Sequence, residues 1–566
     1  MYRKYINMPQ FPKNELAQLV IKACEHYKVE TVVISPGSRN AALIVGFVNH
    51  PTIHTLSIVD ERSAAFFALG IAQQTQKPVA IVCTSGSALL NYYPAVAEAF
   101  YSQIPLIIIS ADRPKNMIDI GDGQTIRQEN VLANHTLFNA NLNEGSEFLS
   151  FNKSTLESAF QMALNQNGPI HINVPFDDPL YDISDKMSFF NFEKILKDEN
   201  SLLDEIPLDV EKLQQFASIW NSAKKKMVLL GEHFPDELIQ TQLNHFTKDE
   251  SVIVLTEVSS NVSNNNFING IDKVIFPLNQ QQFEVLKPEI LLTFGGMVVS
   301  KRIKEFLRIH PPKHHWHISK TIAPNTFFCL NHHFKISPKL FFSQFFFLTK
   351  QKESTYQTDW LKLKGYRKNT HDAYLKKCSF SDLKVFEHTL HSLPNNCQLQ
   401  LSNSSVIRYA QLFEINSTVK VFCNRGTSGI DGSTSTAIGA AFAASVQTIL
   451  ITGDISFFYD QTALWNDYIP TNFRIILINN QGGGIFRFIP GPSTTNVMDY
   501  FETPHHLTAE HLCKMYGFEY QKAQNESELI NCLNNFYTVS KMPKLLEIIT
   551  PREQNDVILK SYFKSL

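Results

Sequence analysis

The chain of 566 residues is long enough for three or four domains, and its hydrophobic fraction of 43% supplies apolar side chains for large cores. Its 51 basic and 53 acidic residues leave a net charge of −2, so charge gives no general argument for binding nucleic acid or a membrane surface. Eight cysteines without a CxxC pair favour reduced thiols in a cytosol over a disulfide framework or a zinc site.

The beginning of the chain shows no targeting pattern. Residues 1–13 are basic but contain no apolar stretch before the first amphipathic helix, which the sequence predicts near residues 15–27. No apolar run elsewhere reaches the length that crosses a membrane. We therefore expect a cytoplasmic protein.

Strand-like apolar runs alternate with helical stretches in three blocks along the chain, which predicts an α/β fold of three doubly wound parallel-sheet domains. The expected strands are 31–35, 78–84, 105–110 and 169–174 in the first block, 227–230, 252–256, 290–294 and 315–318 in the second, and 398–402, 420–423, 448–452, 473–478 and 544–549 in the third. A stretch rich in Asp and Pro, 175–185, closes the first block, and the Lys-rich run 350–377 is expected to be a connecting helix. The predicted domains are 1–185, 186–350 and 351–566.

Several features of the middle block carry no predicted chemistry. Gly295 and Gly296 follow a strand, but the full GxGxxG pattern of a dinucleotide site is absent. The phenylalanine-rich segment 341–347 is too short to span a membrane and is expected to be a buried helix or interdomain packing. The adjacent histidines at 314–315 and 332–333 would point to opposite faces of a strand, which argues against a metal cage.

The third block carries the strongest functional pattern. One apolar strand ends at Gly453 and Asp454, the next ends at Asn479 and Asn480, and a helix-compatible segment, 459–468, lies between them. In such βαβ units ligands collect at the carboxyl ends of the strands. The alternative is that Gly-Asp and Asn-Asn are only turn residues, as either pair alone would be.

The expected ligand at these strand ends is a diphosphate with its metal ion. The Asp454 carboxylate, the Asn480 side chain and the Gly482 carbonyl could supply oxygen ligands to Mg²⁺, with Mn²⁺ as a possible substitute. A Gly-Asp followed by Asn-Asn after one βαβ crossover resembles the thiamine diphosphate motif.

Glu61 is the second candidate for chemistry, because it stands between a strand end and a predicted helix in segment 57–63. Thiamine chemistry needs a carboxyl group beside the aminopyrimidine N1′, where a shared proton favours the reactive imino tautomer. In that position desolvation should raise the pKa of Glu61. The alternative is a capping or salt-bridged surface glutamate.

With these residues the chain resembles the thiamine diphosphate-dependent decarboxylase superfamily, whose members have a pyrimidine-binding, a central and a diphosphate-binding domain in that order. Within it the chain is most similar to the 2-succinyl-5-enolpyruvyl-6-hydroxy-3-cyclohexene-1-carboxylate synthases of menaquinone biosynthesis. The similarity rests on segments 35–40 (SPGSRN), 110–114 (SADRP), 124–128 (QTIRQ), 300–302 (SKR) and 424–432 (NRGTSGIDG). It implies a transferase that decarboxylates 2-oxoglutarate on thiamine diphosphate and adds the succinyl carbanion to isochorismate.

Cationic side chains in these segments agree with substrates that carry two carboxylates. Arginine can hold a carboxylate through two charge-assisted hydrogen bonds. The alternative for any single arginine is a solvated or ion-paired surface residue. The cations, all expected at strand ends or in loops, are Arg39, Arg113, Arg127, Lys301, Arg302, Arg408 and Arg425.

The resemblance also assigns roles residue by residue. Positions matching those that bind isochorismate or the intermediate are Ser38, Arg39, Arg113, Gln124, Lys301, Arg302 and Arg408, and those facing the 2-oxoglutarate carboxylate are Ser404, Arg408 and Arg425. Positions around the cofactor are Glu61, Ser428, Ile430, Asp454, Ser456, Asn480, Gly482 and Ile485. Among all of these, the catalytic set is Glu61, Arg39, Gln124, Arg408 and Arg425. Ile430 matches the bulky residue over which the cofactor bends, although it could equally be ordinary core packing.

The resemblance further implies a homo-oligomer in which Glu61 of one subunit faces Asp454 of another. An interface related by twofold symmetry serves a dimer or a tetramer equally well. Three other functions are compatible with parts of the sequence: a carboligase using pyruvate or another 2-oxo acid, a non-catalytic binding protein of the same fold, and a dinucleotide-dependent oxidoreductase. The first should lack the Arg408 and Arg425 pair, the second should have lost Glu61 or the metal ligands, and the third should carry the glycine fingerprint.

Overall fold

Three six-stranded sheets organise the protein in a computed structural model that describes residues 10–193, 206–489 and 491–566. Elements are numbered in chain order. Most central strands are continuous runs of buried apolar residues, as expected for parallel strands that are covered by helices on both faces. The α/β fold of three parallel sheets is therefore confirmed.

The first sheet has the strand order β3-β2-β4-β5-β7-β6, and all its neighbouring strands are parallel. A separate antiparallel pair joins β1 and β8. The strands are β1 (Phe11–Pro12), β2 (Thr31–Ile34), β3 (His54–Ser57), β4 (Val79–Cys83), β5 (Leu106–Asp112), β6 (Phe138–Asn141), β7 (Ile170–Pro175) and β8 (Ile183–Ser184). The helices are α1 (Glu15–His26), α2 (Ala41–Val48), α3 (Glu61–Thr75), α4 (Ser87–Asn91), α5 (Tyr93–Ser102) and α6 (Leu149–Gln166).

The second sheet has the order β11-β10-β9-β12-β13-β14, again parallel throughout. Its strands are β9 (Lys226–Leu230), β10 (Val252–Thr256), β11 (Phe267–Asn269), β12 (Ile290–Phe294), β13 (His314–Ile318) and β14 (His332–Phe334). The accompanying helices are α7 (Val210–Ser222), α8 (Glu237–Phe246), α9 (Ile271–Ile275), α10 (Gln280–Leu286), α11 (Lys301–Ile309) and α12 (Pro338–Phe345). The predicted buried helix in the phenylalanine-rich segment is thus α12, whose Phe341, Phe342 and Phe345 lie in the core.

The third sheet repeats the order of the first, β16-β15-β17-β18-β20-β19. Its strands are β15 (Gln398–Leu401), β16 (Lys420–Cys423), β17 (Thr448–Gly453), β18 (Arg474–Asn479), β19 (Glu519–Ala523) and β20 (Lys544–Ile549). The helices are α13 (Tyr356–Leu375), α14 (Asp382–His391), α15 (Ser405–Ala410), α16 (Ser433–Ala443), α17 (Asp454–Tyr459), α18 (Ile485–Phe488), α19 (Met498–Glu502), α20 (Glu510–Tyr516), α21 (Glu526–Phe536) and α22 (Asn555–Ser565). Helix α13 occupies the run that was expected to be a connecting helix.

Two compact units contain these elements. One consists of the described residues up to 193 together with Asn424–Thr448 and Ser456–Phe473, and its first-sheet core packs α1, α2 and α6. The other consists of the described residues from 206 to Cys423 with Ile449–Ile455 and Arg474–Leu566. The three-domain boundaries drawn from the sequence remain a prediction.

One helix prediction is wrong. The sequence indicated a helix over 459–468, but helix α17 starts directly at Asp454 and ends at Tyr459. A short 3₁₀ turn, Gln461–Leu464, follows it. The buried carboxylate of Asp460 helps to end the helix, because it accepts hydrogen bonds from the backbone N–H and hydroxyl of Ser435 at 2.7 Å each. In the part of the chain that the structure describes, no helix combines the length and apolar character needed to cross a membrane.

Candidate active site

Asp454 and Asn480 lie at the same edge of the third sheet. Strands β17 and β18 are parallel neighbours, with Gly453 in register with Ile478, and each of the two polar residues directly follows its strand. The Asp454 carboxylate is buried, and it accepts hydrogen bonds from the backbone N–H of Ile455 at 2.7 Å and of Gly482 at 2.9 Å. The structure therefore brings together the three predicted metal ligands Asp454, Asn480 and Gly482.

These residues fit a hard divalent cation. The Asn480 Oδ1 atom is buried and accepts no hydrogen bond from the described residues, whereas its Nδ2 donates to Asp382 Oδ2 at 3.0 Å. A buried amide oxygen that accepts no hydrogen bond costs free energy of folding unless another group, such as a cation, binds it. With the Asp454 carboxylate and the Gly482 carbonyl, it offers the oxygen ligands that Mg²⁺ prefers.

The loop after Asn480 is held by Glu502. Its backbone carbonyl accepts from the N–H of Gly483 at 2.6 Å, and its buried carboxylate accepts from Arg487 at 2.6 Å and Arg552 at 2.8 Å. Burial favours protonation of Glu502, but the hydrogen bonds from Arg552 and Arg487 outweigh it and lower the pKa. Gly482 has φ +154, and a Cβ there would lie 2.8 Å from the Glu502 carbonyl oxygen, so this position requires glycine. Ile485 begins α18 just beyond the loop.

Two polar residues beside the metal ligands could not be found from the sequence. Asp382 is buried at the start of α14, and burial raises its pKa to about 6 although hydrogen bonds from Thr550 and Asn480 oppose the shift. His505 has its Nε2 atom 3.2 Å from Asp454 Oδ2. Neither residue belongs to a local motif, and Asp382 is separated from Asn480 by 98 positions.

The segment 424–432 belongs to the unit of the first sheet and is fixed there by Glu98. This buried carboxylate accepts from the backbone N–H groups of Gly426 and Thr427 at 2.7 Å each and from the Thr427 hydroxyl at 2.8 Å. Within the segment Arg425 is buried, Ser428 has φ +63, and the Ile430 carbonyl accepts from the Ser456 hydroxyl at 2.9 Å. These hydrogen bonds fix the backbone of the segment that contains the predicted cofactor-binding residues.

Glu61 is the first residue of α3. The Asp60 side chain caps that helix by accepting from the backbone N–H groups of Arg62 and Ser63. The Glu61 side chain is half-buried in the single chain and accepts from Asn91 Nδ2 at 3.2 Å. Capping is therefore performed by Asp60, which leaves the Glu61 carboxylate available for another role.

Arg39 and Arg113 lie close enough for their charges to interact. Arg39 is buried and donates to the Phe176 carbonyl at 3.0 Å, and burial together with the charge of Arg113 lowers its pKa. Arg113 donates to the carbonyl of Gly123, the residue before Gln124, at 3.3 Å. Ser38 directly precedes Arg39 in the chain, Gln124 directly follows Gly123, and both Ser38 and Gln124 are exposed. The first unit therefore has exposed polar side chains adjacent in sequence to Arg39 and to the residue that Arg113 contacts.

The expectation that all seven cations lie at strand ends or in loops is wrong for three of them. Lys301 and Arg302 form the first turn of α11, which Ser300 caps, and Arg408 lies inside α15. Arg302 donates to the Leu278 carbonyl at 2.9 Å, and Lys301 is exposed. Both helices are short, so no helical periodicity marks them in the sequence.

The positive charges of Arg302 and Arg408 both act on the carboxyl group of Asp272. Burial raises the pKa of Asp272, while its hydrogen bond with Ser300 and the charges of Arg408 and Arg302 oppose the increase. Ser404, with φ +68, immediately precedes α15 and stands next to the end of β15. The second unit thus places the charges of Arg302 and Arg408 near one carboxyl group, and Arg127 of the other unit pairs with Asp119 at 2.7 Å on the surface.

Comparison with known proteins gives consistent matches. Residues 14–134 match the family described as thiamine pyrophosphate enzyme, N-terminal TPP binding domain. Proteins named 2-succinyl-5-enolpyruvyl-6-hydroxy-3-cyclohexene-1-carboxylate synthase match nearly the whole chain. The one from Flavobacterium johnsoniae is 54% identical over 98% of this chain and 100% of its own length. Those from Flavobacterium psychrophilum and Porphyromonas gingivalis are 53% and 38% identical, over 98% and 94% of this chain and 100% and 94% of their own lengths.

A solved structure shares the fold. Benzoylformate decarboxylase from Polynucleobacter necessarius superposes with a TM-score of 0.70, covering 95% of this chain and 99% of its own, at 15% sequence identity. That likeness concerns the arrangement of the backbone alone.

Proposed function

Because the chain belongs to the family of 2-succinyl-5-enolpyruvyl-6-hydroxy-3-cyclohexene-1-carboxylate synthases, we propose that it joins decarboxylated 2-oxoglutarate to isochorismate with release of CO₂. The single observation that carries the proposal is identity above 50% over the full length of relatives with that name, in a chain that retains Glu61 and Asp454. The reaction places the protein in menaquinone biosynthesis.

The cofactor is thiamine diphosphate with Mg²⁺, or Mn²⁺ in its place. When bound, the cofactor would supply a carbon nucleophile and an electron sink for the decarboxylation of the 2-oxo acid. Asp454, Asn480 and Gly482 would hold, through their oxygen atoms, the metal ion that anchors the diphosphate. The buried, donor-free oxygen of Asn480 supports this assignment.

Glu61 holds a proton at N1′ of the aminopyrimidine. A proton shared there would favour the imino form of the cofactor, which supplies the base for its activation. Support comes from the position of Glu61 at the first turn of α3, where Asp60 already caps the helix. Ser428, Ile430, Ser456 and Ile485 would line the cofactor, with Ile430 as a bulky apolar support for it.

The substrates are dicarboxylates, and cations bind them. Ser404, Arg408 and Arg425 bind the distal carboxylate of 2-oxoglutarate, because a guanidinium can form paired charge-assisted hydrogen bonds. The isochorismate side uses Ser38, Arg39, Arg113, Gln124, Lys301, Arg302 and Arg408. The proximity of Arg39 to Arg113 supports binding of an anion here, in addition to the carboxylates of Asp178 and Asp122, which each lie 3.7 Å from one of these arginines.

The active unit is a homo-oligomer with sites at subunit interfaces, in which Glu61 of one subunit and Asp454 of another act on one cofactor. This assignment follows from the family resemblance, in which a pyrimidine-binding and a diphosphate-binding domain of different subunits meet.

Mass analysis of products tests the function. The purified protein is incubated with 2-oxoglutarate, isochorismate, thiamine diphosphate and Mg²⁺, and we expect the mass of the condensation product. Glu61→Gln should keep the fold but lower turnover by about two to four decades, because an amide cannot share the proton with N1′.

Glu15→Gln is the matched control, because Glu15 is also the first residue of a capped helix but is exposed. Its activity should equal that of the wild type. Turnover of Glu61→Gln near the wild-type level would remove Glu61 from the mechanism, and product formation from pyruvate but not 2-oxoglutarate would replace the proposed donor.

A further inference from the structure

A buried hydrogen-bond cluster lies behind the proposed metal ligands. Asp382, at the first position of α14, is only 3% exposed, and Thr550 and Asn555 are 3% and 6% exposed. Asp382 Oδ1 accepts from the Thr550 hydroxyl at 2.6 Å and from Asn555 Nδ2 at 3.1 Å. Asp382 Oδ2 accepts from Asn480 Nδ2 at 3.0 Å.

The orientation of each group in this cluster follows from donor and acceptor chemistry. An ionised carboxylate can only accept hydrogen bonds, so the side-chain amide of Asn480 must turn its NH₂ group toward Asp382. The amide oxygen of Asn480 then faces away from Asp382. That oxygen is the buried Oδ1 atom that accepts no hydrogen bond from the described residues.

We propose that Asp382 is a positioning residue that fixes the amide of Asn480 with its oxygen directed to the metal ion. The proposal rests on the function proposed above, in which Asn480 is a metal ligand. Asp382 does not touch the metal ion or the cofactor in this role. It acts through Asn480, as outer hydrogen-bond partners commonly orient metal ligands.

The cluster makes the consequence of Asp382→Asn specific. The backbone N–H of Asp382 donates to Asn555 Oδ1 at 2.8 Å, which fixes the Asn555 amide with its NH₂ group toward Oδ1 of residue 382. An asparagine at 382 must therefore keep its amide oxygen at the Oδ1 position, where Asn555 and Thr550 donate hydrogen bonds. Its NH₂ group then faces Asn480. Two NH₂ groups cannot hydrogen-bond to each other, so Asn480 turns over and presents its NH₂ group, which cannot bind a cation.

Exchanging the two residue types should restore the arrangement. In the double variant Asp382→Asn with Asn480→Asp, one carboxylate oxygen at 480 accepts from the NH₂ group at 382. The second carboxylate oxygen remains available to the metal ion. The exchange also keeps the total charge of the cluster, because one carboxylate is removed and one is added.

Binding of Mn²⁺ by the full-length protein with saturating thiamine diphosphate, followed by electron paramagnetic resonance, tests the proposal. We expect Asp382→Asn to weaken Mn²⁺ binding by about 10- to 100-fold. The exchange variant should recover to within about threefold of the wild type, a difference of less than 1 kcal/mol. Asn480→Ala serves as the reference for loss of the ligand itself.

Thr550→Val is the matched control, because it removes a hydrogen bond to Asp382 Oδ1 but leaves Asn480 untouched. It should lower the melting temperature of the metal-free protein while leaving Mn²⁺ binding near the wild-type value. Circular dichroism and thermal melting of the metal-free Asp382→Asn variant show whether it folds. If it does not fold, Mn²⁺ binding by the exchange variant decides whether Asp382 positions Asn480.

The outcomes separate the inference from the function on which it rests. If Asn480→Ala binds Mn²⁺ like the wild type, the proposed metal site is wrong. If Asn480→Ala loses binding but Asp382→Asn keeps it, or if the exchange variant fails to recover, or if Thr550→Val is as damaging as Asp382→Asn, the positioning role of Asp382 is overturned and the metal site stands.

Discussion

At the scale of single residues, the proposed choice of donor substrate would depend on Arg408 and Arg425. Pyruvate lacks the distal carboxylate of 2-oxoglutarate, so it could not form the charge-assisted hydrogen bonds proposed for that group. Each lost charge-assisted hydrogen bond is worth about 1.5 to 3 kcal/mol, and 1.4 kcal/mol corresponds to about a factor of ten. Arg408→Ala and Arg425→Ala should therefore lower kcat/KM for 2-oxoglutarate more than for pyruvate.

Steady-state assays of both oxo acids measure this preference. Arg127→Ala is a suitable control, because it removes the same charge from an exposed residue that pairs with Asp119. Its ratio of the two kcat/KM values should stay unchanged. An unchanged ratio in both Arg408→Ala and Arg425→Ala would mean that these residues do not select the donor, and a pyruvate-type carboligase would gain support.

The sequence predicted Asp454 and Asn480 as metal ligands because each directly follows an apolar strand, with Gly482 two positions beyond Asn480, and parallel strands end at one edge of a sheet. It did not identify Asp382 or His505. Their contacts with Asn480 and Asp454 join distant segments, and nothing in the local pattern distinguishes a buried aspartate at a helix start from a solvated capping residue. Residues that act through other residues need the tertiary structure to be found.

At the scale of elements, the predicted strands agree with the structure to within two residues at nearly every boundary. The strands that were not predicted are the antiparallel pair β1 and β8, and β3, β6, β11, β14 and β19, each of which lies at an edge of its six-stranded sheet. Edge strands are short and partly exposed, so they lack the continuous apolar run that marks a central strand. The pattern therefore revealed the cores of the sheets but not their full width.

Helices α3 and α16 pack closely through two glycines. A Cβ added at Gly70 would overlap the Thr436 carbonyl oxygen, and one added at Gly439 would overlap the Phe67 carbonyl oxygen. Gly439→Ala must push the helices apart, and we expect it to lower the free energy of unfolding by about 1 to 3 kcal/mol, as for other overpacked interiors.

Gly365→Ala is the matched control for this prediction. Gly365 lies within α13, and an added Cβ would meet no atom within 4 Å. Because alanine favours helix more than glycine, this variant should gain about 0.5 to 1 kcal/mol. Urea unfolding of both variants gives the comparison, and equal changes of the same sign would refute the close packing of α3 against α16.

At the scale of the whole molecule, buried neutral histidines should make stability depend on pH. Burial lowers the pKa of His171 and His371 to about 3 and that of His315 and His317 to about 4. In the unfolded chain each would bind a proton below about pH 6.5. The unfolded state then holds more protons than the folded state, so the stability present above pH 6.5 is lost as the pH falls toward 4.

Each such histidine contributes a slope of up to about 1.4 kcal/mol per pH unit in this range. Urea midpoints between pH 7.5 and 5 measure the total slope. His371→Gln should lower stability at pH 7.5, because the ring of His371 hydrogen-bonds to the Tyr562 hydroxyl at 2.8 Å. The free energy of unfolding of this variant should depend less steeply on pH than that of the wild type, by up to about the 1.4 kcal/mol per pH unit that one histidine contributes. His511→Gln, which changes an exposed ring on α20, should keep the slope, and midpoints independent of pH in the wild type would contradict the argument.

The proposed sharing of each site between subunits predicts complementation between two inactive variants. Glu61→Gln lacks the proton-sharing group and Asp454→Ala lacks a metal ligand, so each homo-oligomer should be nearly inactive. In a mixed dimer, one site combines the intact Glu61 of one subunit with the intact Asp454 of the other, and the second site carries both substitutions. Random exchange should therefore restore about a quarter of the wild-type sites, because half the dimers are mixed and each holds one intact site of two. Mixed dimers isolated through two different affinity tags should reach about half of the wild-type activity per dimer. If each site were built within one subunit, every subunit in the mixture would carry a defect, and activity would stay at the sum of the two separate variants.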